Sequence, residues 1–505
     1  MTVEQSQYAV DPWTGNLATL LEARAALQPE RIALIAGDDR VSYAAFADLV
    51  RHLARALAQH GLTAGDRVAA RCEKSPAAIA LFFATLRLGA VYVPINTSLT
   101  PDELAYIIGD AAPALVVASQ PQPGELALDA LLSTRPDRDL PPAAPGGDAP
   151  SVMLYTSGTT GRPKGAVLCH RNLAVNFVLL ADAWAITPDD EVLHVLPVFH
   201  GHGLFLAAAC PLVAGARLRL LPKFDIDAVI ALLPQTSVLM AVPTIHARLL
   251  EHPDFTAARV AGVRLVTSGS APLPLDVAEA FEARTGMVLL ERYGSTEGGM
   301  IASNPLEGTR KRGSVGLPFP HVECRMIDAN GAEVAAGEVG RLLVRSPYVG
   351  LGYWAGKAGL TPITDADGWF DTGDLVRSDE DGYLFIVGRD KDMIISGGFN
   401  VYPREIEIAL ERLPQVAEAA VVGVPHPDFG EAVLAVIAAR PGARIDPAAI
   451  QRDLAGVLTG YKRPKRIEIV DALPRNAMGK IVKREMRERF LDVFGTAGQA
   501  QRPET

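Results

Sequence analysis

The stretch Tyr155-Thr156-Ser157-Gly158-Thr159-Thr160-Gly161-Arg162-Pro163-Lys164-Gly165 puts three glycines, four serine or threonine hydroxyls and a lysine into eleven residues. That composition suits a polyphosphate. Glycines allow φ > 0 and bring backbone N–H groups close to phosphate oxygens, hydroxyls add donors, and Lys164 adds a point charge. The stretch is not a Walker A loop, which needs Gly-Lys followed by Ser or Thr; here Pro163 precedes Lys164 and Gly165 follows it. A flexible surface loop would share the composition, so the residues downstream decide between the two. Among these, His200 and His202 stand one residue apart in Pro197-Val198-Phe199-His200-Gly201-His202-Gly203. Catalytic zinc usually takes three protein ligands, and no Cys, Asp or Glu cluster stands at ligand spacing here, so a metal is not expected at this pair. Histidines satisfied by local hydrogen bonds are the plainer reading.

Five stretches, taken in order, carry a resemblance. The loop at 155–165 looks like the signature loop of the adenylate-forming, AMP-binding superfamily, which includes acyl-CoA synthetases, luciferases and the adenylation domains of peptide synthetases. Four further matches follow: Tyr293-Gly294-Ser295-Thr296-Glu297, Asp371-Thr372-Gly373-Asp374, Gly388-Arg389-Asp390-Lys391-Asp392 running on to Glu405, and Pro474-Arg475-Asn476-Ala477-Met478-Gly479-Lys480. The resemblance spans nearly the whole chain.

It implies an enzyme that activates a carboxylic acid with ATP and Mg²⁺ and then transfers the acyl group to coenzyme A. One anion must attack another at the α-phosphorus, so the site must neutralise charge first. By the resemblance, Thr156, Ser157, Gly158, Thr159, Thr160 and Lys164 hold the β- and γ-phosphates. Thr296 contacts the α-phosphate, and Glu297 positions Mg²⁺ with the carboxylate oxygen a hard cation prefers. Ser270, Ala271 and Pro272 pack on the adenine, with Glu291 and Tyr293 beside the nucleotide. Asp374, assisted by Arg389, accepts from the ribose hydroxyls; a bare Asp in Thr-Gly-Asp would otherwise read as a turn residue. Lys480 supplies an ammonium between the attacking carboxylate and the α-phosphate. Its acylation by a lysine acyltransferase, reversed by a deacylase, would remove that charge.

The same resemblance makes Lys391 the hinge about which a small domain swings. That motion presents Gly397 and Gly398 to the pantetheine arm, where paired glycines leave room close to the backbone. Lys462 and Arg463, in the cluster Lys462-Arg463-x-Lys465-Arg466, would meet the CoA phosphates, although a solvated basic turn would have the same sequence. His200, His202 and Ser268 line the acyl pocket. Arg292, in Glu291-Arg292-Tyr293-Gly294, replaces the uncharged or aromatic residue usual before Tyr-Gly. Burying a second carboxylate unpaired is costly and a bidentate arginine is the usual remedy, so Arg292 with His202 points to a short dicarboxylate. Arg-Tyr-Gly with Val-Pro-Thr and Gly-Ser-Ala-Pro-Leu is similar to malonyl-CoA synthetases in particular. Ser295 and Gly298-Gly299 depart from that pattern, and both shrink side chains near the pocket in a way that would admit methylmalonate or a larger acid. Arg292 paired with Glu291 is the structural alternative. An enzyme acting on other acids, an adenylation enzyme loading a carrier protein, and a nucleotide-binding protein without activity are the alternative functions.

The elements that must position these residues follow from patterning. A chain of 505 residues exceeds one ordinary core. Apolar residues at Phe46, Leu49, Val50, Leu53 and Leu57 form a helical face, with Ser42 as N-cap and Gly61 past the end. Short apolar runs at 67–70, 91–95, 115–118, 191–196, 238–243, 264–267 and 288–290 read as strands separated by helical patterns such as 77–88 and 172–184, which argues for α/β with largely parallel sheets. Seven prolines and three glycines between Gln120 and Pro150 read as a surface excursion. Ligands of such sheets lie beyond the carboxyl ends of strands, so Pro243-Thr244, the segment 268–272 and the segment 293–297 should surround one site. After Gly340, short strands with Asp-Gly turns predict a small β-rich subdomain, and after Arg389 a compact α+β unit. The expected division is a large domain over 1–389 and a lid over 390–505.

A net charge of −10 disfavours nonspecific binding to nucleic acid or anionic membrane. Cys72, Cys169, Cys210 and Cys324 form no Cys-x-x-Cys pair, which fits a reducing compartment. Neither a signal-peptide core at Met1–Trp13 nor an apolar run of transmembrane length is found, so the cytoplasm is the expected location and no stable membrane insertion is expected.

Overall fold

The computed structural model describes residues 11–13, 15–136, 145–156, 163–475 and 480–494. Its largest sheet has nine strands in the order Leu317–Pro318, Gly299–Ser303, Leu290–Ser295, Leu265–Ser268, Val238–Ala241, Glu191–His194, Arg217–Leu220, Ile32–Ala36 and Asp39–Ser42. From Leu290–Ser295 to Ile32–Ala36 every pairing is parallel. A second sheet of eight strands contains Pro150–Thr156, which pairs in parallel with Val91–Pro94 and antiparallel with Lys164–Cys169.

One apolar core takes side chains from both sheets and from the helices Tyr43–Gln59, Pro76–Arg87 and His170–Ala183. Ser42 caps the first of these by accepting from the Ala45 N–H at 3.2 Å, as its sequence predicts. The other two are almost wholly buried, and Pro76–Arg87 is apolar nearly all round, the pattern of a helix enclosed by protein on every side. Such a core fixes the strand ends above it because interiors pack at crystal-like density.

Strands Glu323–Ile327, Gly340–Arg345, Phe370–Ser378 and Leu384–Arg389 form an antiparallel sheet. The expected Asp-Gly turns are present, with Gly368 at φ +83° and Gly382 at φ +82°. A separate C-terminal domain follows. Its five-stranded sheet is built on the antiparallel pair Val416–His426 and Gly430–Ala439, and each face carries its own apolar cluster. Val421, Val433, Ala435 and Ile437 face one side while Val422, Val424, Leu434 and Val436 face the other, the period of two that a strand imposes.

One local expectation is corrected and two elements are added. The strand expected at 288–290 runs from Leu290 to Ser295, so Arg292 and Tyr293 lie within it; pairing with Gly299–Ser303 extends it past its parallel neighbours. The stretch 120–150, read as a surface excursion, holds the strand Leu126–Ala127 and the helix Leu128–Ser133. His202–Ala209 is a π-helix that periodicity does not reveal, a form common at functional sites.

His170, His194 and His246 are fully buried within this frame, and burial pushes their pKa values down to about 4, 3 and 4. Between pH 6.5 and 4 the unfolded chain therefore binds protons that the folded chain does not, and stability must fall as pH falls through that window. Each histidine should cost roughly 2 kcal/mol between pH 6.5 and 5. Urea unfolding midpoints that are equal at pH 7 and pH 5 would contradict this.

Candidate active site

Thr156 and Lys164 face each other in the last register pair of their two strands. Ser157, Gly158, Thr159 and Thr160 lie outside the described residues. The residues at both strand ends are tied to the helix Pro101–Ala111: Tyr155 donates to the Asp110 carboxylate at 2.6 Å, and the Tyr106 hydroxyl donates to the Pro163 carbonyl at 3.0 Å. Across from them, one oxygen of Glu297 accepts from the Thr156 hydroxyl at 3.0 Å and from the Tyr353 hydroxyl at 3.1 Å. The Lys164 ammonium lies over the Tyr353 ring at 5.4 Å.

A second group forms where the nine-stranded and four-stranded sheets meet. Asp374 and Arg389 stand opposite each other in register, and the Arg389 Nε lies 3.1 Å from the Asp374 carboxylate. The Tyr293 hydroxyl donates to the other oxygen of that carboxylate. Burial raises the Asp374 pKa, opposed by the charge of Arg389, the Tyr293 bond and the charges of Lys480 and Lys391.

Lys480 comes from the C-terminal domain to this group. It keeps an exposed surface, yet burial of its ammonium is the largest influence on it and lowers its pKa. Arg389 and Arg292 lower it further, while Asp374 and Glu297 raise it. The structure thus brings Lys480, Arg292, Asp374 and Glu297 within electrostatic reach of one another. An ion pair between Arg440 and Asp276 at 2.9 Å also joins the two domains.

Arg292 is 7% exposed, and neither its Nε nor its Nη2 has a hydrogen-bond partner among the described residues. Burial lowers its pKa to about 10. The Ser268 hydroxyl, the Nε2 of His200 and the Nε2 of His202 are also buried without a described partner. His202 lies close enough to Arg292, His194, His246 and His200 for their charges to add to burial in holding it neutral, and its Nδ1 is 3.1 Å from the Ser270 hydroxyl. The polar atoms expected at the acyl pocket are therefore gathered and largely unsatisfied.

Pairing of Arg292 with Glu291 is not found. Neighbours on a strand point to opposite faces, and Glu291 accepts from the Gly313 N–H at 3.2 Å on the far side. There it faces a cavity with Leu273, Val288 and Arg310, and burial pushes its pKa up to about 7. The space beside Gly298 and Gly299 is also filled: a Cβ on Gly299 would lie 2.7 Å from the Tyr348 Cβ, and one on Gly298 would lie 3.1 Å from both Ile301 and Ser295. These glycines close a turn and do not widen the pocket.

On the C-terminal domain, Gly397 at φ +59° and Gly398 at φ +82° form the two-residue turn between Ile394–Ser396 and Phe399–Val401. Positive φ at both positions is what such a turn demands. Phe399 is exposed and stacks on Tyr461 at 4.7 Å. The expected cluster of free cations is partly compensated: Lys462 donates to both oxygens of Glu405 at 2.7 and 2.8 Å, and Arg466 pairs with Glu468 at 2.5 Å. Arg463 retains a buried Nε without a described partner.

The profile of the AMP-binding enzyme family matches residues 21–354, and that of the AMP-binding enzyme C-terminal domain matches residues 405–480. This chain belongs to the AMP-binding enzyme family. Its structure is similar to ATP-bound MatB from Rhodopseudomonas palustris, with a TM-score of 0.89 and 42% identity, covering 95% of this chain and 99% of that one. It is 35% identical to the indoleacetate–CoA ligase of Aromatoleum aromaticum, over 94% of this chain and 98% of the relative. It is likewise 35% identical to the mitochondrial malonate–CoA ligase of Mus musculus, over 94% and 90%. The chain is an AMP-forming acid–CoA ligase. Among its described residues no helix is long and apolar enough to cross a membrane.

Three residues of this ligase's site escaped the sequence. Tyr353 reaches Glu297 only because Gly352–Trp354 pairs with Lys164–Cys169. Lys74 donates to the carbonyls of His194 at 3.3 Å and Leu196 at 3.0 Å, fixing the segment that leads to His200, and burial lowers its pKa to about 7. Gly269 lies flat against Arg292, where a Cβ would meet the Nε at 2.5 Å; at Gly203 a Cβ would meet the Pro197 carbonyl oxygen at 1.9 Å. Backbone cannot yield as a side-chain end can, so Gly203→Ala should destabilise the ligase by about 1–3 kcal/mol and by more than Gly269→Ala does. Urea unfolding of both variants tests the order, which fails if Gly203→Ala matches the wild type.

Proposed function

We propose that the ligase joins malonate, or a close short dicarboxylate such as methylmalonate, to coenzyme A at the expense of ATP. The observation that carries this is the buried Arg292 guanidinium with unpartnered N–H groups. A second carboxylate on the acid would supply the missing counter-charge and accept those N–H groups in a charge-assisted pair. The likenesses to MatB and to a malonate–CoA ligase support the same reading.

In this reading the reacting carboxylate attacks the α-phosphorus and pyrophosphate leaves, giving an acyl-adenylate. The CoA thiol then attacks the acyl carbon, the thiol proton is lost and AMP leaves. Lys480 and Arg292 lie on the acid side, where the incoming negative charge must be offset, and Thr296 stands between Glu297 and the strand bearing Arg292. Thr156, Ser157, Gly158, Thr159, Thr160 and Lys164 take the outer phosphates. Ser270, Ala271 and Pro272 pack on the base with Tyr293 beside them, and Glu291 accepts from an exocyclic amine. Asp374, held by Arg389, accepts from the ribose. Glu297 fits a hard cation: its two hydroxyl partners share one carboxylate oxygen, and the other has no described partner. Mg²⁺ bound there would neutralise triphosphate charge.

The joint lies at Arg389–Lys391, dividing the chain into 1–389 and 390–505, and Lys391 serves as hinge. Gly397 and Gly398 admit the pantetheine arm after the lid turns. Arg463 is the stronger candidate for a CoA phosphate, since Lys462 must first leave Glu405.

Two expected outcomes test the assignment. Lys480→Ala should lower acyl-adenylate formation about 10²–10³-fold, by removing a charge aimed at the transition state, while conversion of supplied acyl-adenylate to thioester falls far less. Equal loss in both half-reactions would refute the role. In an acid panel with ATP, Mg²⁺ and CoA, malonate should be turned over better than butyrate or benzoate, and Arg292→Ala should cost malonate roughly a hundredfold in kcat/KM. Preference for butyrate or benzoate would remove the dicarboxylate from the proposal.

A further inference from the structure

Ser270 follows the strand Leu265–Ser268 with φ +70°, in the left-handed region where a residue bearing a side chain is strained by about 1–3 kcal/mol. Glycine would adopt that backbone freely. What serine adds is a hydroxyl, and its described contact is the Nδ1 of His202 at 3.1 Å.

His202 is half-buried near the Arg292 cation, with its Nε2 shielded from solvent, and is held neutral, so only one of its ring nitrogens carries a proton. Two arrangements satisfy the Ser270 contact. If Nδ1 carries the proton it donates to the serine, and Nε2 offers a lone pair to a site that would hold an anion. If the serine donates to a bare Nδ1, the proton sits on Nε2, which is buried and has no partner among the described residues. Only the second arrangement gives a donor to a carboxylate beside Arg292, and only the second satisfies every hydrogen bond once the acid is present.

We infer that Ser270 is a positioning residue whose hydroxyl donates to His202 Nδ1 and so aims the Nε2–H of His202 at the anionic acid held by Arg292. This rests on the reading of Arg292 as an anion site and adds the second donor of that site, set by a residue of the nucleotide shelf. Acid recognition and nucleotide packing then share one strained residue.

The test is ¹⁵N spectroscopy of the full chain labelled at histidine, with the His202 signals assigned by their loss in His202→Gln. The expected spectrum has a bare Nδ1 and a protonated Nε2 at His202, with and without malonate. A protonated Nδ1 would overturn the inference whichever acid is physiological. Kinetically, Ser270→Ala should raise KM for malonate roughly tenfold, the loss expected for a hydrogen bond to a charged group. Ser270→Gly suits the backbone and gives the same comparison should the alanine variant fold poorly. Unchanged KM for malonate in both variants overturns the inference. Failure of the Arg292 reading is a separate outcome, seen as unchanged malonate use in Arg292→Ala while the ring protons remain as expected.

Discussion

Arg292 carries a positive charge into the interior, only 7% exposed, and no carboxylate among the described residues pairs with it. An uncompensated buried cation is among the more expensive features a protein can hold, so the fold around it has to be rigid enough to prevent its escape to solvent. The surroundings show how that is done. Gly269 lets the guanidinium lie against backbone, the strand Leu290–Ser295 is paired on both sides, and the apolar core beneath takes side chains from two sheets and fills the space that relaxation would need.

The same logic orders the rest of the site. The chain is acidic as a whole, with a net charge of −10, yet Lys164, Arg292, Arg389 and Lys480 converge near two carboxylates, Asp374 and Glu297. Local positive potential on an acidic protein has to be built by position and not by composition. Histidines extend it without adding charge: half-buried and neutral, His200 and His202 offer polar atoms where further cations would repel Arg292 and Lys480. Lys480 is the cation that a separate domain delivers, and the Arg440–Asp276 pair marks where that domain rests in this arrangement. Its reach to Asp374 and Glu297 is a property of domain placement, not of the tail sequence.

Much of the fold was legible because its signals are local. Ser42 and Gly61 bracket a helix with a regular apolar face, and alternating short strands and helices imply parallel sheets whose carboxyl ends converge. Where the reading slipped, a nonlocal partner decided the outcome. Leu290–Ser295 is longer than its apolar run because Gly299–Ser303 pairs with it, and that extension sends Glu291 and Arg292 to opposite faces. Gly298 and Gly299 look like space left open in a pocket until Tyr348 and Ile301 are seen to fill it. Lys462 looks like a free cation until Glu405, far away in sequence, takes it.

By itself the sequence determined the chemistry on offer: a glycine- and hydroxyl-rich turn for phosphates, a Thr-Glu and a Gly-Asp at strand ends, an arginine where an apolar residue is usual, and a lysine near the tail. It also determined the layered α/β architecture, since apolar periodicity and capping act over a few residues. Only the tertiary structure decided which of these side chains meet, which are already neutralised, and which supporting residues, Tyr353, Lys74, Gly269 and Ser270, hold them. Those outcomes depend on distances between segments tens to more than a hundred residues apart, and they are set by sheet pairing, core packing and domain placement, for which no short stretch of chain carries a signal.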